Sequence, residues 1–509
     1  MTAEKYLLLK NGTDVRGVAV AGVENQPVTL TDDIARNIAH AFCVWLAKKL
    51  GKTTVNVAVG YDSRISAPAL SKAVLSGVCK AGGTSYDTGL STTPSMFMLL
   101  KDEARLETYP CDGSVMITAS HLPFNRNGLK FFTKDGGLEG ADITQILNIA
   151  AEQDTTNTKE TGTVVCAPYL DDYAATLVAK VRAGTGEEKP LQGKRIVVDA
   201  GNGAGGFFAE KVLIPLGADT TGSQFLDPDG RFPNHIPNPE DPDAMKSVCE
   251  AVTRANADFG IIFDTDVDRA GAVDKNGEEI NRNRLIALIS AILLQEKKGT
   301  IVTDSVTSDG LAFFLQQAGG RHHRFKRGYK NVINEAVRLN AAGEYTPLAI
   351  ETSGHAALKE NYFLDDGAYL IVRLLIALAK ASKEGKNLTD LIADLPEAKE
   401  GKELRVKFAP DCDFKKLGKG VIDDFAAHAA SLPYLTPATD NHEGFRVNFD
   451  KAHGDGWALL RMSLHDPNMP INVESEKTGG AHTICAQLYE FLKHYTFLDL
   501  TAFETFLKA

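Results

Sequence analysis

The sequence lacks several features that mark common functional classes. Its 509 residues include seven cysteines, none in a CxxC pair, so no zinc motif is present. An odd number of scattered thiols is typical of a reducing compartment. No uninterrupted apolar run approaches the ~20 residues that cross a bilayer, and the first residues contain no apolar signal segment. We therefore expect a cytoplasmic protein that does not bind membranes.

Net positive charge is also missing. The chain has 55 Lys and Arg against 66 Asp and Glu, a formal net charge of −11. An acidic surface disfavours nucleic acids and anionic membranes, so a phosphorylated ligand would need a local group of Arg and Lys. The nucleotide motif GxxxxGK(S/T) and the hydrolase motif GxSxG are both absent. The 43% hydrophobic and 24% charged residues are ordinary for a globular protein, which allows a core of normal size.

What is present is an alternation of strand and helix patterns. Apolar strand patterns lie at 55–59, 195–199, 299–303 and 346–350, and helix patterns follow them, as at 68–80 and 207–216. Such alternation predicts α/β domains with parallel or mixed sheets and helices on both faces. Units of this kind near residues 55, 195 and 300 predict three similar domains. A different pattern from about residue 400 predicts a smaller C-terminal α+β domain. The predicted domains are 1–158, 159–275, 276–392 and 393–509.

The most informative stretch places three carboxylates at alternate positions after a buried strand pattern at 259–263. Asp264, Asp266 and Asp268 would repel one another, and Arg269 stands beside them. A hard divalent cation such as Mg²⁺ resolves this repulsion beside phosphate substrates. An EF-hand is excluded because position six is Arg269 and position twelve is Lys275. The alternative is a solvated acidic turn.

A second stretch ends the apolar run at 115–117 with small polar residues. Ser120 is expected on a turn, and it could act as a nucleophile with help from a base, a cation or a phosphate already in place. Lys130 could fold back and serve as general acid and base. The alternative is a helix-capping serine and a solvated lysine.

Two further stretches offer groups that suit a sugar phosphate. Glu351, Ser353 and His355 follow the strand pattern at 346–350, where ligands bind in open α/β sheets. The alternative is a capped helix start with a surface histidine. Arg461 with Ser463 could hold a phosphate, although Arg461 could also be a plain surface cation.

One glycine-rich turn favours a different class of enzyme. Gly201, Gly203 and Gly206 fit GxGxxG between a strand and a helix pattern, and Asp227 lies about 20 residues further on. This pattern would suit a nucleotide-dependent oxidoreductase. The glycines also have a plainer use, because they allow a tight turn from strand to helix.

Taken in order, the motifs resemble those of the α-D-phosphohexomutase family, which includes phosphoglucomutases, phosphomannomutases and phosphoglucosamine mutases. The resemblance covers nearly the whole chain and rests on GTDVRG (12–17), TASHLP (118–123), FPNHIPNPE (232–240), DTDVDR (264–269) and ETSGH (351–355). It implies four domains, the first three topologically alike, around a central cleft. The family's glycine run at this place binds no dinucleotide, which disfavours the oxidoreductase.

The resemblance also implies a mechanism. Ser120 would carry a phosphoryl group, and Mg²⁺ would bind one of its oxygens together with the three aspartates. Lys130 would be the general acid and base, with His121 beside the serine in the catalytic set. The phosphoryl group would pass between a hexose 1-phosphate and 6-phosphate of glucose or mannose through a 1,6-bisphosphate, with glucose 1,6-bisphosphate as activator. Substrate contacts are expected from Arg16, Arg269, Glu351, Ser353, His355, Arg461, Ser463 and His465.

The sequence departs from the family in its C-terminal phosphate loop. The usual RxS(N/G)TEP is RMSLHDP here, so His465 stands for a threonine and Asp466 for a glutamate, and a later arginine is Pro470. His465 is expected to replace the missing hydroxyl donor. A phosphoglucosamine mutase remains the main alternative, and a sugar-phosphate binding protein without activity is a further one.

Overall fold

A computed structural model describes residues 3–410, 412–463 and 466–508. The chain divides into two compact units, the first made of Met1–Asn281 and Ser353–Asp390, and the second of Arg282–Thr352 and Leu391–Ala509. His465, expected in the phosphate loop, lies outside the described residues. Among the helices of the described residues, none is long and apolar enough to cross a membrane.

The first unit begins with an eight-stranded mixed sheet. Its strands are β1 (Lys10–Asn11), β2 (Asp14–Val18), β3 (Val57–Tyr61), β4 (Ser85–Leu90), β5 (Gly113–Ile117), β6 (Arg126–Thr133), β7 (Gly136–Gly137) and β8 (Val164–Cys166). The order is β1-β2-β6-β5-β3-β4-β8, with β7 on β6. Neighbours within β5-β3-β4-β8 are parallel and the other pairs antiparallel. Because β8 pairs with β4, this sheet runs past the boundary expected at residue 158.

The described residues of this part of the chain form seven helices. They are α1 (Ala3–Leu7), α2 (Asp32–Leu50), α3 (Ala67–Lys80), α4 (Thr93–Met98), α5 (Glu103–Thr108), α6 (Gly140–Glu152) and α7 (Leu170–Thr185). All but α5 contain buried residues. In α2, Ile34, Ile38 and Phe42 recur every fourth residue on the buried face. The helix begins where Thr31 Oγ1 accepts the Ile34 N–H and ends at Gly51, whose φ is +66°. The helix predicted at 68–80 corresponds to α3.

The second sheet of this unit has the order β12-β11-β10-β9. The strands are β9 (Ile196–Asp199), β10 (Phe259–Phe263), β11 (Ala270–Asp274) and β12 (Glu279–Ile280), with β9 parallel to β10 and the other pairs antiparallel. Helix α8 (Pro242–Ala255) packs on β9 and β10. The helix expected at 207–216 is a 3₁₀ turn, Ala204–Gly206, followed by a π-helix, Phe208–Leu213. Since β12 pairs with β11, this sheet passes the boundary expected at 275.

A third α/β region contributes to both units. In the second unit, β13 (Thr300–Thr303), β14 (Arg321–Arg324) and β15 (Leu348–Ile350) form the parallel order β14-β13-β15, with α9 (Arg282–Glu296), α10 (Asp309–Gln317) and α11 (Tyr329–Ala341). In the first unit, β16 (Ala356–Leu358) pairs antiparallel with β17 (Leu364–Asp365), and α12 (Gly367–Lys383) packs on α7.

The C-terminal part of the second unit is an antiparallel sheet with helices. Its strands are β18 (Glu400–Phe408), β19 (Leu435–Pro437), β20 (Phe445–Phe449), β21 (Gly456–Leu460), β22 (Asn468–Ser475) and β23 (Leu498–Asp499), in the order β19-β20-β21-β22-β18-β23. The helices are α13 (Phe414–Ala430), α14 (Gly480–Leu492) and α15 (Thr501–Lys508). Three α/β regions followed by an α+β domain confirm the predicted fold class.

Candidate active site

Ser120 lies just beyond β5, a strand whose five residues are all buried. The serine is 2% exposed, and its φ of +51° places it in the left-handed region, as expected for a tight turn. Its hydroxyl donates to Asp264 Oδ2 at 2.9 Å, across 144 residues of sequence. His121 Nδ1 lies 3.2 Å from the same oxygen. No helix begins at Ser120, so the helix-capping interpretation is wrong.

The three aspartates lie on the turn that follows β10. Asp264, Asp266 and Asp268 are buried, and each offers a carboxylate oxygen within 4.8 Å of the other two. Oδ1 of Asp266 and Oδ1 of Asp268 have no hydrogen-bond partner among the described residues. Buried carboxylate oxygens without partners are costly unless a cation binds them, and oxygen ligands are those that Mg²⁺ prefers. The solvated-turn interpretation is wrong, and the residues fit a divalent cation.

Lys130 reaches this cluster from β6. Its Nζ donates to Asp266 Oδ2 at 2.8 Å and to Asp268 Oδ2 at 2.5 Å. The Thr93 hydroxyl, from α4, also donates to Asp266 Oδ2. Lys130 is only 5% exposed, so it folds back as predicted and is not a solvated lysine.

The charges of the cluster shift the pKa values of its members in opposite directions. Burial raises the pKa of Asp264 well above its usual value, and the carboxylates of Asp268 and Asp266 add to this effect. Burial and Asp268 also act to raise the pKa of Asp266, but the Lys130 ammonium outweighs them and the pKa is lowered. For Asp268, burial is likewise outweighed, chiefly by Lys130 and His355, and its pKa is lowered. The surroundings thus favour the ionised forms of Asp266 and Asp268 and disfavour ionisation of Asp264.

Arg269 and His355 form a second polar group beside the cluster. Arg269 Nε donates to His355 Nε2 at 2.9 Å, and His355 Nδ1 is paired with the Asp365 carboxylate. Burial lowers the pKa of His355, but the charges of Asp365 and Asp268 and the hydrogen bond to Asp365 together outweigh it, and the net shift of the pKa is upward. Gly354 makes the approach possible, because its φ is +93° and a Cβ there would lie 2.7 Å from the Ala270 carbonyl oxygen. His355 is buried, so the surface-histidine interpretation is wrong.

Arg16 approaches the serine loop from β2. Its Nη2 pairs with Asp14 Oδ2 at 2.9 Å, and its Nη1 donates to the Ala119 carbonyl at 3.2 Å. The pKa of His121 is held well below its usual value by the Arg269 charge, then by burial and by Arg16. His121 is therefore a neutral imidazole at physiological pH.

The first unit thus brings together most of the predicted site. These residues are Arg16, Ser120, His121, Lys130, Asp264, Asp266, Asp268, Arg269 and His355. Ser353 is also in this unit, buried next to Gly354, and its hydroxyl has no hydrogen-bond partner within the described part of the chain.

The other predicted contacts lie in the second unit. Glu351 Oε1 accepts the Gly328 N–H at 2.6 Å, at the start of α11. Arg461 is 5% exposed and so is not a plain surface cation. Burial and then the Arg327 charge lower its pKa. Ser463 Oγ accepts the Asp466 N–H at 3.2 Å.

Sequence reasoning missed several residues that shape the site. Arg64 donates to the carbonyl of Ser120, Thr93 to Asp266, and Asp365 pairs with His355. A usable signal existed for Arg64, since it follows the strand pattern at 55–59 in the way that Ser120 follows the pattern at 115–117. Parallel neighbouring strands place such residues at one edge of a sheet.

The glycine run at 201–206 packs against the aspartate turn. A Cβ on Gly203 would lie 2.8 Å from the Thr265 backbone, and one on Gly206 would lie 2.1 Å from the Leu226 carbonyl oxygen. The Ala204 N–H donates to the Thr265 carbonyl at 2.8 Å. These glycines therefore allow a close backbone contact that supports the carboxylate cluster.

Comparison with known proteins agrees with this site. Family models described as phosphoglucomutase/phosphomannomutase, alpha/beta/alpha domains I, II and III match residues 8–157, 168–277 and 281–398. A phosphoglucomutase of Neisseria gonorrhoeae is 31% identical over 476 residues, 92% of this chain and 94% of that protein. A phosphomannomutase/phosphoglucomutase of Pseudomonas putida is 29% identical over 86% of this chain and 89% of that protein.

A solved structure extends the likeness to three dimensions. The phosphoglucomutase/phosphomannomutase family protein of Burkholderia thailandensis has a TM-score of 0.77 and 27% identity, covering 97% of this chain and 98% of its own. Fold and site together define an isomerase of the phosphohexomutase class, which excludes the oxidoreductase. The chain belongs to the phosphoglucomutase/phosphomannomutase family.

Proposed function

We propose that this enzyme interconverts the 1-phosphate and 6-phosphate of glucose, mannose or both, through a phosphorylated Ser120 and a hexose 1,6-bisphosphate. The observation that carries the proposal is the contact of Ser120 Oγ with Asp264, which puts a hydroxyl against a buried carboxylate cluster. A binding protein would need neither a nucleophile nor an amine at that place. Both are buried here, where water is excluded.

The three aspartates and the Ser120 oxygen would hold Mg²⁺. When bound, the ion neutralises charge on the transferring phosphoryl group, which is the main requirement of this chemistry. The Oδ1 atoms of Asp266 and Asp268, which lack hydrogen bonds among the described residues, are the oxygens that favour this assignment.

Ser120, Lys130 and His121 would carry out the two phosphoryl transfers. In the first transfer, the bond from phosphorus to Ser120 Oγ breaks as a bond to the sugar hydroxyl oxygen forms, and the hydroxyl proton passes to Lys130 Nζ, which must first lose one ammonium proton to solvent in order to act as the base. The bisphosphate then turns round, its other phosphate moves to Ser120 Oγ, and Lys130 returns a proton to the departing sugar oxygen. Neutral His121, 3.2 Å from Oγ, keeps the serine oriented without adding charge.

Further residues are proposed to contact the substrate. Arg16, Arg269 and His355 offer donors near the transfer site, and Glu351 with Ser353 offers partners for sugar hydroxyls. We assign Arg461 and Ser463 to the distal phosphate, since an arginine and small donors suit it. We also propose glucose 1,6-bisphosphate as the activator that first phosphorylates Ser120. The seven free cysteines fit a cytoplasmic location.

Two experiments test the proposal. Incubation with glucose 1,6-bisphosphate and Mg²⁺ should add the mass of one phosphoryl group to the wild type and nothing to Ser120→Ala. A fully active wild type that never carries this group would refute the mechanism. Coupled assays with glucose 1-phosphate, mannose 1-phosphate and glucosamine 1-phosphate then identify the sugar, and clear preference for glucosamine 1-phosphate would favour a phosphoglucosamine mutase.

A further inference from the structure

Asp62, Ser63 and Arg64 follow β3 just as the serine loop follows β5. The two strands are parallel neighbours, with Tyr61 opposite Ile117 in register. The Asp62 N–H continues this ladder by donating to the Ile117 carbonyl at 3.1 Å. The two loops therefore leave the same edge of the sheet side by side.

The guanidinium of Arg64 is buried and donates to backbone carbonyls of the serine loop. Arg64 is 1% exposed, and its Nη1 donates to the carbonyls of Pro123 at 2.8 Å and Arg126 at 2.9 Å. Its Nη2 donates to the carbonyl of Leu122 at 2.6 Å and to that of Ser120. The two terminal nitrogens carry four N–H groups in total, and all four donate to carbonyls of the loop from 120 to 126. None remains for a substrate phosphate.

Asp62 completes the arrangement by pairing with Arg64. Its Oδ2 lies 3.3 Å from Arg64 Nε, and its Oδ1 accepts the Arg64 N–H at 2.9 Å. The carbonyl of Ser120 is thus held by Arg64, which Asp62 holds in turn, while the Ser120 N–H donates to Thr118 Oγ1 at 2.9 Å.

The conformation of Ser120 is the feature that needs such support. A left-handed conformation is unfavourable at a residue other than glycine, and it holds only where the surroundings determine it. This conformation accompanies the contact of the hydroxyl with Asp264. Burying an ion pair also carries a desolvation cost that can exceed the gain from the pairing. Stability alone therefore does not account for the buried pair of Asp62 and Arg64.

We infer that Asp62 and Arg64 form a positioning pair that fixes the peptide group following Ser120 and so aims the serine Oγ at the carboxylate cluster. This inference rests on the proposed function, because it assigns the pair to phosphoryl transfer by that serine. Neither residue touches the reacting atoms.

The test compares Arg64→Lys and Asp62→Asn with the wild type. The readouts are the single-turnover rate at which glucose 1,6-bisphosphate phosphorylates Ser120, followed by intact mass, and steady-state kcat and KM. Lysine keeps the charge but cannot form four directed hydrogen bonds, and misplacement of a reacting group by about 1 Å costs about 100-fold in rate. We expect that loss in phosphorylation rate and kcat, with KM changed less than about threefold.

A matched control distinguishes an effect on the position of Ser120 from an effect on the stability of the protein. Arg105 also clamps backbone carbonyls in the first unit, donating to those of Ala167 at 2.6 Å and Pro168 at 2.9 Å, away from the serine loop. Arg105→Lys should lower the melting temperature without changing the phosphorylation rate. In Arg64→Ala, added guanidinium ion should restore part of the rate, which a general loss of stability would not allow.

The possible results are distinct. A wild type that bisphosphate does not phosphorylate would reject the proposed function itself. A phosphorylated wild type, with Arg64→Lys and Asp62→Asn reacting at the wild-type rate, would reject only the positioning pair. A rate loss equal in Arg64→Lys and Arg105→Lys would also overturn it.

Discussion

Asp264→Asn should stabilise the ion-free protein while abolishing its response to Mg²⁺. The ligand oxygens of the three aspartates lie within 4.8 Å of one another. At that distance and an effective dielectric constant of about 20, two unit charges repel by about 3 kcal/mol. Lys130 compensates Asp266 and Asp268 directly, whereas burial and these two neighbours act together on Asp264. Asp264 avoids this repulsion only by taking up a proton, so asparagine removes a cost that the wild type bears in either protonation state.

The effect should depend on pH with a definite sign. The folded protein keeps a proton on Asp264 that the unfolded chain releases above about pH 4. The folded state then binds more protons, so the free energy of unfolding falls by about 1.4 kcal/mol per pH unit until the raised pKa is passed. The Asn variant lacks this slope. Asp266 and Asp268, whose pKa values are lowered, are ionised in both states above about pH 5 and add no slope there.

The assay is thermal unfolding of unphosphorylated protein in EDTA and in MgCl₂ between pH 5 and pH 8. In EDTA at pH 7.5 the variant should melt roughly 3–5 °C above the wild type, the equivalent of about 3 kcal/mol. Mg²⁺ at 100 times its Kd should stabilise the wild type by about 2.7 kcal/mol and leave the variant unchanged. Asp33→Asn, an exposed aspartate paired with Arg36, should follow the wild type. Equal melting curves in EDTA, or equal gains with Mg²⁺, would refute the reasoning.

Three other substitutions test separate parts of the structure. Arg461→Ala should raise KM for the hexose phosphate more than it lowers kcat, and an unchanged KM in steady-state assays would remove its role in phosphate binding. Tyr173→Phe removes the 2.7 Å hydrogen bond to buried Asp366 and should cost about 1–3 kcal/mol of unfolding free energy by calorimetry, with activity retained. Gly354→Ala would place a Cβ 2.7 Å from the Ala270 carbonyl oxygen at a φ of +93°. It should lower kcat in the coupled assay, and wild-type kinetics would contradict the tight packing described there.

The sequence predicts which groups meet at the candidate site better than it predicts the residues that support them. Ser120, Lys130 and the three aspartates each lie in a short motif, and the structure brings them together. Arg64 was missed because its partners lie 56 to 62 residues away, and only the pairing of β3 with β5 brings them together. A contact of this kind depends on strand order, which no local pattern encodes.

The structure also corrected the element boundaries for local physical reasons. The helix expected after Gly206 is a 3₁₀ turn and a π-helix, where the chain packs closely against Leu226. The sheets continue to Cys166 and Ile280 because short strands pair at their edges, and two or three residues give too weak a pattern to predict. Burial decided between the open alternatives for Lys130 and Arg461, since periodicity alone does not separate a buried cation from a solvated one.

The discontinuous first unit has a consequence for synthesis on the ribosome. Its second segment, Ser353–Asp390, supplies His355, Asp365 and helix α12, which packs on α7. Domains fold as units while the chain grows from its N-terminus, but here about 70 residues of the other unit are translated before the first can close. A nascent chain halted before residue 353 lacks α12, so the face of α7 that packs on it would be exposed. During this interval that face is open to binding by chaperones.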